Sequence, residues 1–139
     1  MISFNYETNF ELQNNERIAK WIALVIKEEN LRLGEINYIF CDDEYLHKLN
    51  IEFLNHDTLT DIISFDYSVG KELQGDVYIS IERVKENAKE YASSFKDELH
   101  RVIIHGILHY CGYKDKSKEE SNAMRFKEDK ALKLLKEIK

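Results

Sequence analysis

The chain has 139 residues, 43% of them hydrophobic, with two cysteines and a formal net charge of −6 at pH 7. This length predicts a single domain over residues 1–139, with enough apolar side chains to form a core. The acidic balance argues against a general nucleic-acid binder, and two cysteines make no disulfide framework. Because the chain shows neither an apolar run of ~20 residues nor a signal-peptide start, we expect a cytoplasmic protein without a membrane span.

The first 40 residues predict two strands separated by a helix. Apolar and polar residues alternate over residues 2–6, which indicates a strand. Asn14 or Asn15 can cap the helix, whose apolar face consists of Ile18, Trp21, Ile22, Val25 and Ile26. Gly34 interrupts the helical pattern, and residues 36–40 alternate again as a second strand.

The middle of the chain predicts a helix followed by a β-hairpin. Asp42 or Asp43 can cap the helix, whose apolar residues are Tyr45, Leu46, Leu49 and Phe53. After a polar break, residues 60–67 and 75–81 have the composition of strands, and residues 69–74 predict the connection between them.

Three further helices are predicted after the hairpin. Ser80 can cap a helix over residues 82–92, and Ser94 can cap one over residues 95–111. Residues 117–120 read Ser-Lys-Glu-Glu, a capping-box pattern that predicts a last helix. About four strands and five helices therefore predict an α/β domain with one mostly covered sheet.

The segment HGILHYCGYKD contains the strongest functional pattern in the chain. Its two histidines, His105 and His109, are four residues apart, so on a helix both imidazoles lie on one face and can bind one metal ion. Gly112 is placed to end that helix in a left-handed conformation, and Asp115 then lies within reach as a third ligand. The spacing follows the metzincin layout, with Gly106 in place of the usual glutamate.

This pattern favours a catalytic metal site over packed histidines. A lone histidine on an apolar face is usually a core residue, but here two histidines, a helix-ending glycine and a carboxylate agree with one geometry. The three ligands suit Zn²⁺ and leave a fourth position open, as in catalytic sites. Without the usual glutamate at Gly106, peptide hydrolysis is disfavoured. Because a mid-helix glycine costs about 1 kcal/mol relative to alanine, we also expect Gly106 to lie against a ligand or another backbone.

The same segment resembles the signature of the YbeY family, bacterial metal-dependent endoribonucleases of ribosomal RNA processing. The family pattern reads His-Gly-x-Leu-His-x-x-Gly-Tyr, followed by a third ligand that is most often histidine. An upstream block matches in the family's order, at Leu49-Asn50, Phe53, Asp57, residues 60–65 and residues 75–80. The resemblance covers nearly the whole chain. It implies the fold class α/β (α+β), with a small mixed sheet, helices packed against it and the metal helix buried centrally.

The resemblance also implies a function and its partners. It implies a single-strand-specific, metal-dependent endoribonuclease acting in rRNA maturation, at the 16S 3′ end, and in ribosome quality control. The expected partners are single-stranded RNA or rRNA and the small ribosomal subunit or its assembly factors. We expect a monomer that binds one Zn²⁺ ion, with other divalent metals also accepted. The residues of the metal site alone imply only metal-assisted hydrolysis.

Further site residues are drawn from the family-like block. Asp61 is predicted to act as a base or to orient a ligand histidine, and Ser64 is predicted as a catalytic, phosphate-binding hydroxyl. Thr60 and His56 are predicted to contact the substrate. Structural alternatives remain open: Asp61 as a strand-entry turn residue, Ser64 as a structural hydroxyl and His56 as a surface loop residue.

Two residues depart from the family pattern. Asp115 stands where most members have a third histidine, and Leu54 stands after Phe53, where the family usually has an arginine thought to help hold RNA phosphate. A guanidinium is well suited to bidentate phosphate binding. Leu54 therefore leaves that role without its usual residue, and His56 can replace it only in part, when protonated.

Charge is distributed unevenly along the chain. Residues 114–139 contain nine Lys/Arg and six Asp/Glu, a net charge of +3, so the remainder carries −9. Such a basic tail beside a metal site can bind phosphate, or it can simply be a solvated helix face.

Two other functions remain open. The first is a metallopeptidase of metzincin type, which a glutamate placed by the fold beside the metal-bound water would favour. The second is a ribosome-associated module whose metal is purely structural, which a saturated coordination sphere and a closed site would favour.

Overall fold

Four strands and five helices follow one another along residues 1–138, the part of the chain described by the computed structural model. They are β1 (Ile2–Tyr6), α1 (Asn15–Glu28), β2 (Arg32–Cys41), α2 (Asp43–Leu54), β3 (Ile62–Asp66), β4 (Glu72–Ser80), α3 (Ile81–Glu90), α4 (Phe95–Tyr110) and α5 (Lys118–Glu137). The predicted α+β class with a small sheet is confirmed. None of the helices in this range combines the length and the apolarity needed to cross a bilayer.

The sheet is mixed and has the strand order β1-β2-β4-β3. Strands β1 and β4 run parallel to β2, and β3 pairs antiparallel with β4 at the edge of the sheet. Successive residues of β4 alternate between buried and half-buried, as the two-residue period of a strand requires. The face that carries Val77 packs against α4, so this helix lies over β3 and β4.

Helix α4 is the central helix of the fold. Ten of its 16 residues are buried, and it packs against the sheet, α1, α3 and α5. A Cβ atom on Gly106 would lie 3.1 Å from Ile62 Cδ1 and 3.3 Å from Val77 Cγ1. The glycine therefore lets α4 sit close to side chains of β3 and β4. The expectation that it faces a ligand or another backbone is wrong.

The predicted helix caps explain where most helices begin. Asp42, Ser80, Ser94 and Ser117 each precede a helix and accept a hydrogen bond from the backbone N–H three residues later. At Ser117 the reciprocal bond of the capping box is also formed. Asn14 precedes α1 but has left-handed backbone angles and makes no side-chain cap, so α1 is held by packing rather than by an asparagine cap.

Two strand boundaries differ from the sequence prediction. Strand β2 begins at Arg32 rather than at residue 36, and Gly34 lies inside it, where the pairing with β4 changes register. A Cβ atom on Gly34 would lie 2.7 Å from Leu73 O, so glycine permits the two backbones to approach. Strand β4 correspondingly begins at Glu72, inside the connection predicted for residues 69–74. Both extensions depend on pairing with a distant strand, which local patterns do not show.

Candidate metal centre and its cavity

Three potential metal ligands converge at the C-terminal end of α4. His105 and His109 stand one helical turn apart, and their Nε2 atoms are 2.9 Å from each other. Gly112 follows the helix with φ +102°, as predicted for a glycine that ends it, and the chain then returns to Asp115. Asp115 Oδ2 lies 3.2 Å from His105 Nε2 and 3.3 Å from His109 Nε2. The predicted ligand atoms thus face one point.

The hydrogen bonds at the far side of each imidazole determine its tautomer. His109 Nδ1 lies 2.9 Å from the carbonyl oxygen of Tyr113, which can only accept a hydrogen bond. His105 Nδ1 lies 2.6 Å from Glu128 Oε2, which as a carboxylate also accepts. In the neutral rings both Nδ1 atoms therefore carry the proton, and both Nε2 atoms present lone pairs to each other and to Asp115.

The spacing of these atoms fits a zinc ion. Zinc binds imidazole nitrogen at about 2.0–2.1 Å and carboxylate oxygen at about 2.0–2.2 Å, so two ligand atoms of a tetrahedral site are about 3.3 Å apart. The three observed separations are 2.9, 3.2 and 3.3 Å. Two lone pairs and a carboxylate repel one another at this distance unless a cation lies between them, and the donor set suits a divalent metal.

Glu128, on α5, holds His105 in place and was not predicted from the sequence. Its side chain is 7% exposed, and its Oε1 accepts a hydrogen bond from Arg101 Nη1 at 2.9 Å. Burial opposes the charged form of Glu128, but the hydrogen bonds from His105 and Arg101 outweigh it and lower the pKa of the carboxyl. Burial alone would lower the pKa of His105, and the bond and charge of Glu128 raise it instead.

A weak signal for Glu128 is present in the pattern of α5. The buried positions of this helix recur at helical spacing and are Met124, Glu128, Ala131 and Leu135. A glutamate in such a stripe is unusual, because carboxylates are almost never buried without a partner. The pattern therefore suggests a buried partner for Glu128, but it does not show that this partner is His105, 23 residues earlier.

The ligand cluster borders a cavity of about 280 Å³ between α3, α4, α5 and the start of β3. Besides His105 and Asp115 it is lined by polar and charged side chains, among them Asp61, Asn87, Glu98, Arg101, Arg125 and Glu128. Burial raises the pKa of Asp61 and of Glu98; the hydrogen bond from Asn87 opposes this in Asp61, and the charges of Arg101 and Arg125 oppose it in Glu98. Two carboxyl groups that protonate more readily than usual therefore face the same cavity as the metal ligands.

Asp61 lies in this cavity but does not orient a ligand histidine. Its Oδ2 accepts a hydrogen bond of 3.3 Å from Asn87 Nδ2, whereas the Nδ1 atoms of the histidines are held by Glu128 and by the Tyr113 carbonyl. Of the two roles predicted for Asp61, the orienting role is therefore carried by other groups. The role of a base remains.

The other predicted substrate residues lie outside the immediate cluster. Thr60 Oγ1 donates to the Ile62 carbonyl at 3.3 Å, a local turn contact. Ser64 lies two residues after Ile62 and shares its face of β3, since side chains alternate along a strand. His56 is exposed in the loop after α2, and Leu54 ends that helix with 42% exposure. None of Thr60, Ser64, His56 and Leu54 lines the cavity in the described part of the chain.

Comparison with known proteins gives consistent matches over nearly the whole chain. The family model described as Endoribonuclease YbeY matches residues 2–136. A Flavobacterium johnsoniae protein named Endoribonuclease YbeY is 61% identical over 132 residues, which is 95% of each chain. A protein of the same name from Christiangramia forsetii is 53% identical over 133 residues, covering 96% of this chain and 93% of the relative.

A solved structure shares the fold. The solution structure of TM1509 from Thermotoga maritima matches with a TM-score of 0.66 and 26% sequence identity. The match covers 97% of this chain and 89% of the other. The arrangement of strands and helices around the candidate centre is therefore similar to that of a protein studied in solution.

Proposed function

The chain belongs to the Endoribonuclease YbeY family, and we propose that it cleaves single-stranded RNA at the centre formed by His105, His109 and Asp115. Membership of this family makes the chain a hydrolytic nuclease. The resemblance identified in the sequence is thereby confirmed. The observation that carries the proposed site is the convergence of two imidazole lone pairs and a carboxylate oxygen beside an open, polar cavity.

We propose zinc as the ion that these three residues hold, with other divalent metals accepted. When bound, zinc supplies Lewis acidity toward a phosphoryl oxygen and lowers the pKa of water. The protein supplies the orientation: Glu128 and the Tyr113 carbonyl fix both imidazole tautomers, so that the Nε2 atoms keep their lone pairs. Three protein ligands beside a cavity of about 280 Å³ support a catalytic rather than a purely structural ion.

Asp61 is proposed as the proton acceptor. It lines the same cavity as His105 and Asp115, and Asn87 holds one of its oxygens while the carboxylate retains further acceptor capacity. Glu98 lines this cavity as well, two helical turns before His105 on α4, and is the competing candidate. Thr60, Ser64 and His56, on the segment that leads into and along β3, are proposed to contact the RNA on either side of the scissile bond.

Arg125 is proposed to bind the phosphate. It lines the cavity, its side chain is 61% exposed, and Glu128 lies 4.0 Å away, too far for a close hydrogen bond. A guanidinium in this position can bind a phosphate through two parallel hydrogen bonds. Arg125 would then provide the cation that Leu54, at the end of α2, does not provide.

A metallopeptidase is the second candidate, because the fold does place glutamates near the centre. Glu128 reaches His105, but its two oxygens accept from His105 and Arg101, so it acts as an orienting group rather than as a free base. Glu98 is the other glutamate of the cavity. Cleavage of a denatured protein, lost in Glu98→Gln but kept in Asp61→Asn, would favour this candidate.

The biological setting is also a proposal. We propose a single domain over residues 1–139 that works in the cytoplasm as a monomer, in maturation of the 16S rRNA 3′ end and in ribosome quality control. Its partners would be rRNA and the small ribosomal subunit or its assembly factors. The support is the family name shared by the relatives together with the polar cavity beside the candidate metal ligands.

The experiment combines metal analysis of the purified protein with cleavage of single-stranded and duplex RNA. We expect about one ion per chain and cleavage of the single strand only. His109→Ala should lose both metal and activity, whereas Asp61→Asn should keep the metal and lose kcat by about 10²–10⁴-fold, as expected for loss of an acid–base group. Asp66→Asn, an exposed carboxylate at the end of β3, is the matched control. Full activity of the metal-free His109→Ala protein would refute the proposal.

A further inference from the structure

A second, larger cavity lies between α1, α4 and α5. Its volume is about 540 Å³, and five cationic side chains line it: Arg17, Lys96, Arg101, Lys133 and Lys136. Two carboxylates, Asp97 and Asp129, also line it, so the seven charged side chains of the lining together carry a net charge of +3. This is a strong local excess in a chain whose net charge is −6. We refer to this site as the basic cavity.

Two of the five cations already have partners within the protein. Arg17 donates to the backbone carbonyls of Leu135 and Ile138 at the end of α5. Arg101 pairs with Glu128 and with Asp129. These contacts fix the walls of the cavity, so the arginines contribute charge without being free to follow a ligand.

The three lysines are exposed and lack such partners. No carboxylate of residues 1–138 lies within 4.0 Å of the ammonium groups of Lys96, Lys133 or Lys136. Lys133 and Lys136 are three residues apart on α5, so they are neighbours on its surface. The positive charge of this region also acts on His100, a buried residue that lines the cavity. Burial, and then the charge of Lys96, lower the pKa of His100 to about 4.

The basic cavity adjoins the cavity beside His105 and Asp115, which we call the metal cavity, and Arg101 forms part of the wall between them. This residue lines both cavities, and a chain of short contacts runs from Arg101 through Glu128 to His105. Lys96 precedes His105 by nine residues, or two and a half turns, on the same helix, so the two side chains leave opposite sides of α4 with an axial separation of about 13 Å, and a strand that reaches both must pass over Arg101. A flexible strand of a few nucleotides can span this distance.

We propose that the basic cavity binds phosphodiester groups of the same RNA strand whose scissile bond lies at the metal centre. This inference rests on the proposed function, because it assigns a second contact to the substrate of that site. Lysine ammonium groups along α4 and α5 match the repeated charges of a nucleic-acid backbone and give affinity without reading the sequence. An acidic protein segment is the competing ligand, but nothing connects such a segment to the metal centre, whereas an RNA strand can occupy both cavities.

The test removes the three unpaired charges and compares the result with an equal loss of charge elsewhere. The variant of the basic cavity carries Lys96→Gln, Lys133→Gln and Lys136→Gln. The control carries the same three charge losses on exposed lysines outside both cavities, at Lys48→Gln, Lys71→Gln and Lys89→Gln. Because all six side chains are exposed, both proteins should unfold at the temperature of the wild type, which is checked first.

Binding of a single-stranded 2′-O-methyl RNA of about 12 nucleotides, which resists cleavage, is then measured against salt concentration. For single strands each lost phosphate contact flattens the plot of log K against log salt by about 0.7, so the variant should be flatter by about 2 while the control keeps the wild-type slope. In cleavage of a long RNA the variant should raise KM and leave kcat unchanged, since the metal centre is intact.

Each outcome has a defined meaning. If the wild type cleaves RNA and the variant of the basic cavity keeps the wild-type slope, the inference is overturned and the proposed function stands. If the wild type neither binds nor cleaves RNA, the proposed function fails and the inference with it. If the variant loses binding of polyglutamate but not of RNA, the cavity binds acidic protein instead, and the inference is overturned.

Discussion

Replacing Glu128 by glutamine keeps the size of the side chain but removes the charge that holds His105. The carboxylate now accepts from His105 Nδ1 at 2.6 Å and from Arg101 Nη1 at 2.9 Å. A glutamine has one acceptor oxygen and one NH₂ donor, so it can accept only one of these two bonds. In one orientation the NH₂ group of the glutamine faces the N–H of Arg101 or of His105, so two donors oppose each other. In the other it donates to His105 Nδ1, which places the proton of the ring on Nε2, and Nε2 then cannot bind a metal ion.

The expected loss in metal affinity follows from this broken contact. A hydrogen bond to a charged group contributes about 1.5–3 kcal/mol. Loss of a group that orients a ligand histidine typically lowers metal affinity about 10–100-fold, which corresponds to about 1.4–2.7 kcal/mol. The two magnitudes agree, and we therefore expect Glu128→Gln to bind zinc about 10–100-fold more weakly than the wild type.

Competition with a zinc chelator of known affinity measures this effect at pH 7. The matched control is Asp129→Asn, which removes the same charge from the exposed partner of Arg101 on the same helix. Because Asp129 does not contact either histidine, this variant should change zinc affinity less than twofold. A Glu128→Gln protein that is folded and binds zinc as tightly as the wild type would show that Glu128 does not position His105.

Three further predictions follow from other contacts. Asp115→Ala should lose the bound ion, whereas Asp115→His should keep about one ion per chain, because an imidazole can replace the carboxylate as a zinc ligand; elemental analysis of both decides this, and full metal content in the alanine variant would contradict it. His100 is buried with its pKa lowered to about 4 from 6.5, mainly by burial. Since the unfolded chain binds a proton below about pH 6.5 and the folded chain does so only near pH 4, the contribution of His100 to stability should fall by about 1.8 kcal/mol between pH 7 and 5, and urea unfolding of His100→Gln should show a pH dependence that differs from the wild type by that amount. Gly75→Ala should destabilise the fold by at least about 2 kcal/mol, because its Cβ would overlap the Phe65 carbonyl and the Tyr110 hydroxyl that hydrogen-bonds to it; an unchanged thermal midpoint would contradict this.

The convergence of His105, His109 and Asp115 could be predicted from the sequence because its geometry is local. Two histidines four residues apart lie on one face of any helix, and Gly112 and Asp115 follow within a single turn of chain. The same reasoning holds for the caps at Ser80, Ser94 and Ser117, whose hydrogen bonds reach only three residues. Such features depend on a few consecutive dihedral angles, so the local amino-acid order can predict them.

The orienting group and the cavities depend instead on contacts between distant segments. Glu128 meets His105 only because α5 packs along α4, and the position of Gly106 reflects how closely α4 sits on the sheet. Asn14 shows the converse, since a good capping residue at the right position makes no cap in the folded chain.

For this protein, the sequence alone determined the family, the candidate ligand residues and the order of helices and strands, because these are properties of neighbouring residues or of matched motifs. The tertiary structure decided which carboxylate holds His105 and which of the predicted substrate residues lies in the metal cavity. It also gathered the lysines of α4 and α5 around a second cavity. Glu128 is buried by packing and must find a partner across the fold, and the second cavity forms where α1, α4 and α5 meet, so neither feature involves neighbours in the sequence.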